Sequence, residues 1–447
     1  MATQLNHAAV QKRLDEIGLR PFTADEVREL ADRLSKSISI GLKRPGEPTN
    51  TDGGVLAAPT GVQHIKLAEV QKVPDHTRGI TAACGGTNWI FAETQKEPNG
   101  QVTIGRSFVR KIPENERQHT YDSFTEIIAD GIARVAKQCE LLNEPTLPVS
   151  ISLGFPQINT ETADGDIDAL IPRRKLPKFW EITDFTEAVP ALQQPSLARL
   201  IKAKLKAKGV SGVGQLVMVN DTVAVALDVQ HGGDEGEDAP VGFVFGTGTN
   251  GALFAGKKKG MVNLEIGHAE IMDQVPVLEV MQKRGWAPDT RPIMEYWMGG
   301  AFIPARVMAG VELLSEFVSD SKAINKQITG SQNQALISDM AKGRQSPLVG
   351  LSLLADDYMV AQLCAKRALH QAAQLIGVHL ATVCQAVKYT EGIAFIPYEG
   401  SVLGKGHHVK RKSLETAKLL LPQLELKPYE ASGMVGVAKL ALVRLFS

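Results

Sequence analysis

Two stretches of the sequence decide the fold: residues 79–88, GITAACGGTN, and residues 241–250, VGFVFGTGTN. Each begins as a short apolar run, passes through a glycine-rich loop and ends in Thr-Asn, and a second apolar run follows at residues 89–92 and 252–255. Apolar runs joined by glycine predict β-hairpins. Because the same pattern occurs twice, the sequence predicts one supersecondary unit that is used in two similarly built lobes.

The rest of the chain alternates between strand and helix patterns, which is typical of an α/β architecture. The predicted strands include residues 149–153, 215–219 and 393–397, and the predicted helices include the first 44 residues and residues 196–208, 356–388 and 409–421. Thr23 with Glu26, and Ser123 with Glu126, form capping-box patterns that mark helix starts. Residues 43–59 are rich in Gly, Pro, Asn and Asp, which predicts an irregular connection.

Composition limits the classes of function. The 447 residues are 43% apolar and carry 49 Lys and Arg against 49 Asp and Glu. This length predicts two or three domains, and the balanced charge argues against a nucleic-acid or anionic-membrane partner. No apolar run approaches the ~18 residues of a membrane span, and the N-terminus lacks the apolar segment of a signal peptide. The scattered Cys84, Cys139, Cys364 and Cys384 predict core positions in a reducing compartment, hence a cytoplasmic protein.

The two glycine loops are candidate phosphate sites. Backbone N–H groups of a glycine-rich hairpin can approach phosphate oxygens closely because no Cβ intervenes. The alternative for each loop alone is an ordinary tight turn. Two copies with the same Thr-Asn ending favour phosphate binding, although neither loop is a P-loop or a Rossmann turn that leads into a helix.

Asn220-Asp221-Thr222 follows the predicted strand at 215–219 and precedes a helix predicted to begin near Val223. One interpretation is a helix N-cap, where Asn, Asp and Thr are preferred. The other is a carboxylate at the carboxyl end of a strand, where α/β sheets place their ligands. There it could accept a proton from a substrate hydroxyl during phosphoryl transfer.

Two further carboxylates lie beside glycine turns. Glu265 belongs to NLEIGH (263–268) and Glu295 to MEYWMGG (294–300). Isolated glutamates are usually solvated. Their place next to glycine suits carboxylates that accept hydrogen bonds from sugar hydroxyls in a cleft.

A series of motifs then carries a family resemblance. In order, the chain shows LAAPTGV, GGTN, LGFPQ, WEITDF, VNDTV, FGTGTN, NLEIG, EYWMGG, YEGSV and ASGMVG. The series resembles the eukaryotic-type hexokinase family over nearly the whole chain. The resemblance implies an α/β, two-lobed, actin-like (ribonuclease H-like) sugar-kinase fold with an interlobe cleft and a βββαβαβα core in each lobe.

The resemblance also implies a division of the chain. N-terminal helices at 1–70 would pack on the large lobe, and residues 71–219 would form the small lobe with the first phosphate loop. Residues 220–447 would form the large lobe with the second phosphate loop and the nucleotide site. It is left open whether the last helix returns to the small lobe.

Roles for individual residues follow from the same resemblance. Asp221 would be the catalytic base. The sugar contacts would be Phe155, Pro156, Asn220, Asn250, Glu265 and Glu295. The nucleotide contacts would be Gly85, Gly86, Thr87 and Asn88 in the first loop, Gly246, Thr247, Gly248 and Thr249 in the second, and Gly400, Ser401, Val402, Ser432 and Gly433 in later turns. ATP and Mg²⁺ are the implied cofactors, and no residue is assigned as a metal ligand.

Three positions depart from the family pattern. Ala83 replaces an Asp that helps to hold hydrated Mg²⁺, Ile90 replaces an Arg, and Gly154 replaces a Ser. Losing one outer carboxylate costs about 10–100-fold in metal affinity or activity, so the expectation is a slow enzyme unless another carboxylate substitutes. EIGH at 265–268 also resembles the bacterial sugar-kinase and repressor family, but the cysteine-rich zinc motif of that family is absent.

The leading hypothesis is an ATP-dependent hexokinase that transfers the γ-phosphoryl group of MgATP to the 6-hydroxyl of a hexose, with glucose as the first candidate. One alternative is a catalytically degenerate sugar-binding sensor, motivated by Ala83, Ile90 and Gly154. The other is a kinase for a different hexose. The protein is expected to be a monomer or a homodimer.

Overall fold

The computed structural model describes residues 6–44, 55–85, 88–171, 180–189, 193–231, 240–287, 291–331, 334–344 and 355–446. The helices are α1 (His7–Glu16), α2 (Ala24–Lys43), α3 (Leu67–Gln71), α4 (Tyr121–Gln138), α5 (Leu197–Ala207), α6 (Asp221–Ala226), α7 (Pro276–Lys283), α8 (Glu295–Met298), α9 (Ile303–Leu313), α10 (Ser321–Ser331), α11 (Gln334–Ala341), α12 (Ala355–Ala386), α13 (Ser401–Lys405), α14 (Val409–Leu420) and α15 (Gly433–Phe446). The strands are β1 (Ala58–Pro59), β2 (Arg78–Cys84), β3 (Asn88–Lys96), β4 (Val102–Lys111), β5 (Gln118–His119), β6 (Leu147–Leu153), β7 (Ile158–Glu161), β8 (Ile167–Leu170), β9 (Glu181–Ile182), β10 (Val213–Asn220), β11 (Val241–Phe245), β12 (Thr249–Phe254), β13 (Met261–Asn263), β14 (Gly392–Glu399) and β15 (Leu424–Glu430).

Two large sheets contain the two repeated hairpins. The first sheet has the order β4-β3-β2-β6-β10-β8-β7, and the second has the order β1-β13-β12-β11-β14-β15. In each, a hairpin of antiparallel strands is extended by parallel pairing of its first strand, β2 with β6 and β11 with β14. Cys84 pairs with Trp89 at the first hairpin tip and Phe245 with Thr249 at the second. The hairpins predicted from the repeated pattern are confirmed.

The repeat extends beyond the hairpins. The order β2-β3-β4-α4-β6-α5-β10-α6 around the first sheet matches β11-β12-β13-α12-β14-α14-β15-α15 around the second. The first series is interrupted by β5 and by β7 to β9, and the second by helices before α12 and by α13. Each half therefore follows the order βββαβαβα. The mixed α/β architecture and the twofold use of one unit agree with the sequence prediction.

The last helix of each half packs across the boundary between the sheets. α6 follows the first sheet but contacts β11 and β12, whereas α15 follows the second sheet but contacts β2, β6 and β10. The two helices also contact each other so closely that a Cβ on Gly436 of α15 would lie 1.8 Å from the backbone oxygen of Ala224 in α6. Any residue with a Cβ at position 436 would overlap the backbone of α6, so the two helices can cross at this distance only with glycine there.

Alternation along β10 shows how the core is divided. Leu216 and Met218 face a cluster built by α4 and α5, whereas Val217 and Val219 face a cluster built by α6 and α15. Successive strand residues point to opposite faces, so α15 covers the face of the first sheet that α4 and α5 leave open. A third cluster joins the second sheet to α2, α9 and α12.

Helix starts test the two capping boxes. The Thr23–Glu26 box at the start of α2 is confirmed. The Ser123–Glu126 box is wrong: Thr120 is the N-cap of α4 and Ser123 its third residue. Glu126 instead pairs with Lys204 of α5 and with Lys208, the residue that follows α5.

Three further expectations concern the cysteines, membrane-spanning helices and the irregular connection at 43–59. All four cysteines are buried and free, as predicted. Within the described ranges, no helix is both long enough and apolar enough to cross a membrane. Residues 45–54 of the predicted irregular connection lie outside the described residues.

Candidate active site

Asp221 lies at the junction between the first sheet and α6. It is the first residue of α6, and Asn220 is the N-cap, whose Oδ1 accepts a hydrogen bond of 2.9 Å from the backbone N–H of Thr222. The Thr222 hydroxyl donates to Asp221 Oδ1 at 3.2 Å. The N-cap interpretation is confirmed for Asn220, and the carboxylate of Asp221 lies beside it at the end of the strand.

The other carboxylate oxygen of Asp221 is directed at the first hairpin. A Cβ on Gly154, just after β6, would lie 3.2 Å from Asp221 Oδ2 and 3.4 Å from the Cα of Gly85. Parallel pairing of β2, β6 and β10 brings the ends of all three strands to this point. Asp221 and the first glycine loop are thus neighbours, separated by the space that glycine leaves at position 154.

The second glycine loop contacts Glu295. A Cβ on Gly248 would lie 2.5 Å from Glu295 Oε1. The backbone after α8 is tied to the same loop, since Gly300 donates to the Gly246 oxygen at 2.8 Å and Ala301 to the Thr247 oxygen at 2.9 Å. The predicted sugar-contact glutamate and the predicted phosphate loop are therefore one local unit.

A hydrogen-bonded chain holds Asn250 and Glu265. Asn250 donates to Asn263 Oδ1, and Asn263 donates to Glu265 Oε1, both at 2.7 Å. Glu265 adopts a left-handed backbone conformation with φ of 44°, which costs energy for a residue other than glycine and is common at functional sites. Asn263 was missed by the sequence analysis, although it begins the NLEIG motif.

Glu399, at the end of β14, contacts the start of α15 and was also missed. Its Oε2 accepts a hydrogen bond of 2.9 Å from the backbone N–H of Gly433, the first residue of α15. A Cβ on Gly433 would lie 3.5 Å from the backbone oxygen of Asp221, and one on Gly400 would lie 2.6 Å from the nitrogen of Gly246. Reduced solvation in the cleft raises the pKa of Glu399, and the charge of Asp221 acts in the same direction. Its position at the end of β14 was the available signal.

Several predicted contacts are placed differently. Phe155 is buried among Trp180, Trp89 and Phe124, so its side chain belongs to the core. Pro156 is buried as well. Asn220 is only 2% exposed, and its amide nitrogen donates to backbone oxygens of Leu153 and Phe155 at 3.5 and 3.3 Å. The side chains of Phe155, Pro156 and Asn220 are thus buried, and their assignment as sugar contacts stays a prediction.

The nucleotide-side residues are only partly described. Gly86 and Thr87 lie outside the described residues, while Asn88 is exposed at the start of β3. Thr247 is exposed, whereas the buried Thr249 hydroxyl has no hydrogen-bond partner among the described residues. Ser401 and Val402 begin α13, and Ser432 precedes α15. Two of these turns adjoin Glu399, since Gly400 follows it in the chain and Gly433 donates to its carboxylate.

Comparison with known proteins gives a consistent result. Horse (Equus caballus) Hexokinase-2 is 22% identical over 464 aligned positions, which covers 95% of this chain and 47% of that protein. Yeast (Saccharomyces cerevisiae) Hexokinase-1 is 23% identical over 241 positions, covering 52% of this chain and 43% of that protein. The chain is thus similar to hexokinases over nearly all of its length. It spans about half the length of the Hexokinase-2 relatives that it matches, and no family model matches it.

Solved hexokinase structures confirm the fold class. The hexokinase from Schistosoma mansoni complexed with glucose has a TM-score of 0.74 and 14% identity, over 98% of this chain and all of that one. A second structure, described as a hexokinase, has a TM-score of 0.75 and 16% identity over the same share. The chain therefore has the two-lobed actin-like fold of the hexokinases.

The buried His379 of α12 packs against the strands of the second hairpin. Its ring packs edge-on against Phe243 and Phe245, and a Cβ on Gly251 would lie 2.6 Å from its Nε2. Neither ring nitrogen has a hydrogen-bond partner among the described residues. Burial lowers the pKa of His379 to about 3 from the usual 6.5, so the ring is neutral in the folded protein.

This histidine predicts a specific sensitivity to acid. Below pH of about 6.5 the unfolded chain binds a proton at His379 that the folded chain excludes, so the free energy of unfolding falls as the pH drops towards 3. The slope from this residue approaches ~1.4 kcal/mol per pH unit. Urea unfolding at several pH values in this range gives the free energy of unfolding as a function of pH. We expect this free energy to fall less steeply with decreasing pH in His379→Leu than in wild type. The exposed His7→Ala variant is the control, and equal slopes in wild type and His379→Leu would contradict the prediction.

Proposed function

We propose that the chain is a hexokinase-type phosphotransferase that transfers the γ-phosphoryl group of ATP to the 6-hydroxyl of a hexose, with glucose as the first substrate to test. The observation that carries the proposal is the set of contacts joining Asp221, both glycine hairpins and Glu399 around one cleft. The hexokinase relatives support the same reaction class.

Asp221 is the candidate base. Its Oδ1 is held by the Thr222 hydroxyl, so Oδ2, on the side of Gly154 and Gly85, is the oxygen that would take the proton of the sugar hydroxyl. A base in this position acts by general-base catalysis as the hydroxyl oxygen attacks phosphorus. No covalent intermediate on the protein is required.

Asn250, Glu265 and Glu295 would orient the sugar. The hydrogen bonds through Asn263 fix the first two, and the second glycine loop restricts the third. Holding the acceptor in line with the phosphate converts a bimolecular step into an effectively unimolecular one. Backbone N–H groups of the glycine loops would contact the phosphate oxygens.

Magnesium would enter as part of MgATP. The described residues contain no group of three or more His, Cys, Asp or Glu side chains that could hold a metal ion. In MgATP the ion would be held mainly by phosphates and water. The ion would neutralise charge on the transferred group. Ala83 is half-buried at the end of β2 and offers no ligand, so Asp221 and Glu399 are the cleft carboxylates available to its water shell.

A coupled assay tests the proposal. Purified protein is incubated with MgATP and a panel of hexoses, and hexose 6-phosphate is measured. We expect product with glucose or another member of the panel. Absence of product from every hexose, with ATP and with other nucleoside triphosphates, would overturn the proposed reaction.

Gly248 offers a second test of the sugar site. Gly248→Ala places a methyl group 2.5 Å from Glu295 Oε1, and this flexible side chain can move aside at little cost in stability. We expect the KM for the hexose to rise by about tenfold and the KM for ATP to change little, because one charge-assisted hydrogen bond to the sugar is disturbed. Gly246→Ala in the same loop meets no atom within 4 Å and is the matched control. Equal sugar KM values in the two variants would contradict the assignment of Glu295.

Ala83 and Gly154 favour a second candidate function, a sugar-binding sensor without turnover. Both lie beside Asp221 or the first loop, and neither side chain can take part in phosphate or metal binding. Calorimetric titration separates the candidates. A sensor binds hexose with little affinity for MgATP, whereas a kinase binds both.

A further inference from the structure

Glu295 lies on a helix that cannot hold its own position. α8 has four residues and no side-chain cap at its N-terminus, and an isolated helix of this length does not form in water because nucleation is costly. The place of the Glu295 carboxylate against Gly248 must therefore be fixed by contacts from outside α8.

One such contact comes from Arg306 of α9. Its guanidinium donates to the backbone oxygen of Trp297, near the C-terminus of α8, and to Gln371 Oε1 of α12, with a longer bond of 3.4 Å to the Ala368 oxygen. The last carbonyl groups of a helix have no partner within the helix, and a cation beside them is favourable. Arg306 thus caps the helix that carries Glu295.

Burying the Arg306 guanidinium costs solvation free energy. The side chain is 1% exposed, and none of the acceptors of its described hydrogen bonds is a carboxylate. Burial lowers its pKa to about 9, so it stays protonated at neutral pH. Taking a charge out of water is costly, and no carboxylate among its described partners offsets that cost for Arg306.

The hydrogen bonds of Arg306 continue through Gln371 to the N-terminal segment. Trp297 and Gln371 line a cavity of about 160 Å³, together with Gly18 of the N-terminal segment. Gln371 crosses this region and donates to the Gly18 oxygen at 2.9 Å. Hydrogen bonds therefore run from the N-terminal segment through Gln371 and Arg306 to the Trp297 carbonyl of α8.

We propose that Arg306 is a positioning residue for the sugar site: by holding the Trp297 carbonyl it keeps Glu295 against the second glycine loop. The proposal rests on the proposed function only in naming the sugar as the ligand of Glu295. The local effect on α8 does not depend on any reaction.

The test compares Arg306→Met, Arg306→Lys and Val311→Ala. Methionine fills similar space without donors, and lysine keeps a charge that can reach one carbonyl. Val311 is a fully buried residue of the same helix whose removal breaks no hydrogen bond to α8. We expect Arg306→Met to raise the hexose KM and the calorimetric Kd about 10- to 100-fold, as for loss of a charged hydrogen bond. The ATP KM should stay within about twofold, with Arg306→Lys intermediate and Val311→Ala near wild type.

Hydrogen exchange gives a readout that needs no substrate. Amides of residues 297–301 should exchange at least tenfold faster in Arg306→Met than in Val311→Ala. Unchanged exchange, or an equal loss of sugar and ATP affinity in both variants, would overturn the proposal. If the wild type binds no hexose, the proposed function fails, and the exchange result alone decides the role of Arg306.

Discussion

Asp221→Asn is expected to lower kcat for hexose phosphorylation by about 10²–10⁴-fold, the usual contribution of a general base. The substitution preserves the shape of the side chain, and the Asn oxygen can still accept the hydrogen bond from Thr222. The fold and the N-cap made by Asn220 should therefore remain. The measurement is kcat and KM for both substrates in the coupled assay, with thermal unfolding as a check on folding.

The matched control for Asp221→Asn is Asp122→Asn. Asp122 also lies in the first turn of a helix, α4, but its carboxylate is exposed and pairs with Lys204 of α5. We expect near wild-type kinetics for the control. An Asp221→Asn variant that keeps more than about a tenth of the wild-type kcat would mean that Asp221 is only part of the helix start.

Gly436→Ala is expected to lower the free energy of unfolding by ~3 kcal/mol, the upper part of the usual range for overpacked sites. The new Cβ would lie 1.8 Å from the Ala224 oxygen and 2.7 Å from the backbone nitrogen of Asp228. Both are backbone atoms, so no rotamer change can make room and α15 must move away from α6. Because these helices join the two sheets, we also expect kcat to fall.

The control for this change is Gly404→Ala in α13. There the nearest atom to a new Cβ is 3.7 Å away, on Tyr398. Alanine is favoured over glycine in a helix by about 1 kcal/mol, so this variant should be as stable as wild type or more so. Urea unfolding measures both. Equal stability of the two variants would show that the crossing of α6 and α15 is looser than the structure indicates.

The sequence predicted most of the fold because its pattern is local and repeated. Short apolar runs ending in glycine identify the hairpins of both sheets, and helical spacing identifies α5, α12 and α14 within a few residues. The error at Ser123 and Glu126 came from a pattern that occurs three residues away from the true cap at Thr120. Capping boxes share residue types with exposed helix surfaces, so such a shift is hard to detect without the packing partner.

The site was less predictable because it depends on contacts between distant segments. Glu399 reaches Gly433 only because β14 and β15 are adjacent and parallel, and Arg306 reaches Trp297 only through the packing of α8 against α9. Residues such as Phe155 follow a motif but turn their side chains into the core. The motif predicts where the backbone lies and does not predict which side chains face the cleft.

Each of α6 and α15 packs against the sheet of the other half, and this arrangement has a consequence for folding during synthesis. The first sheet is complete in the nascent chain at β10, but the helix that covers its open face lies roughly 200 residues further along. At a translation rate of about 5–20 residues per second, that face stays exposed to water for ~10–40 s. The first half of the protein is therefore a candidate client for ribosome-associated chaperones, and it should aggregate when it is expressed without the segment that ends in α15.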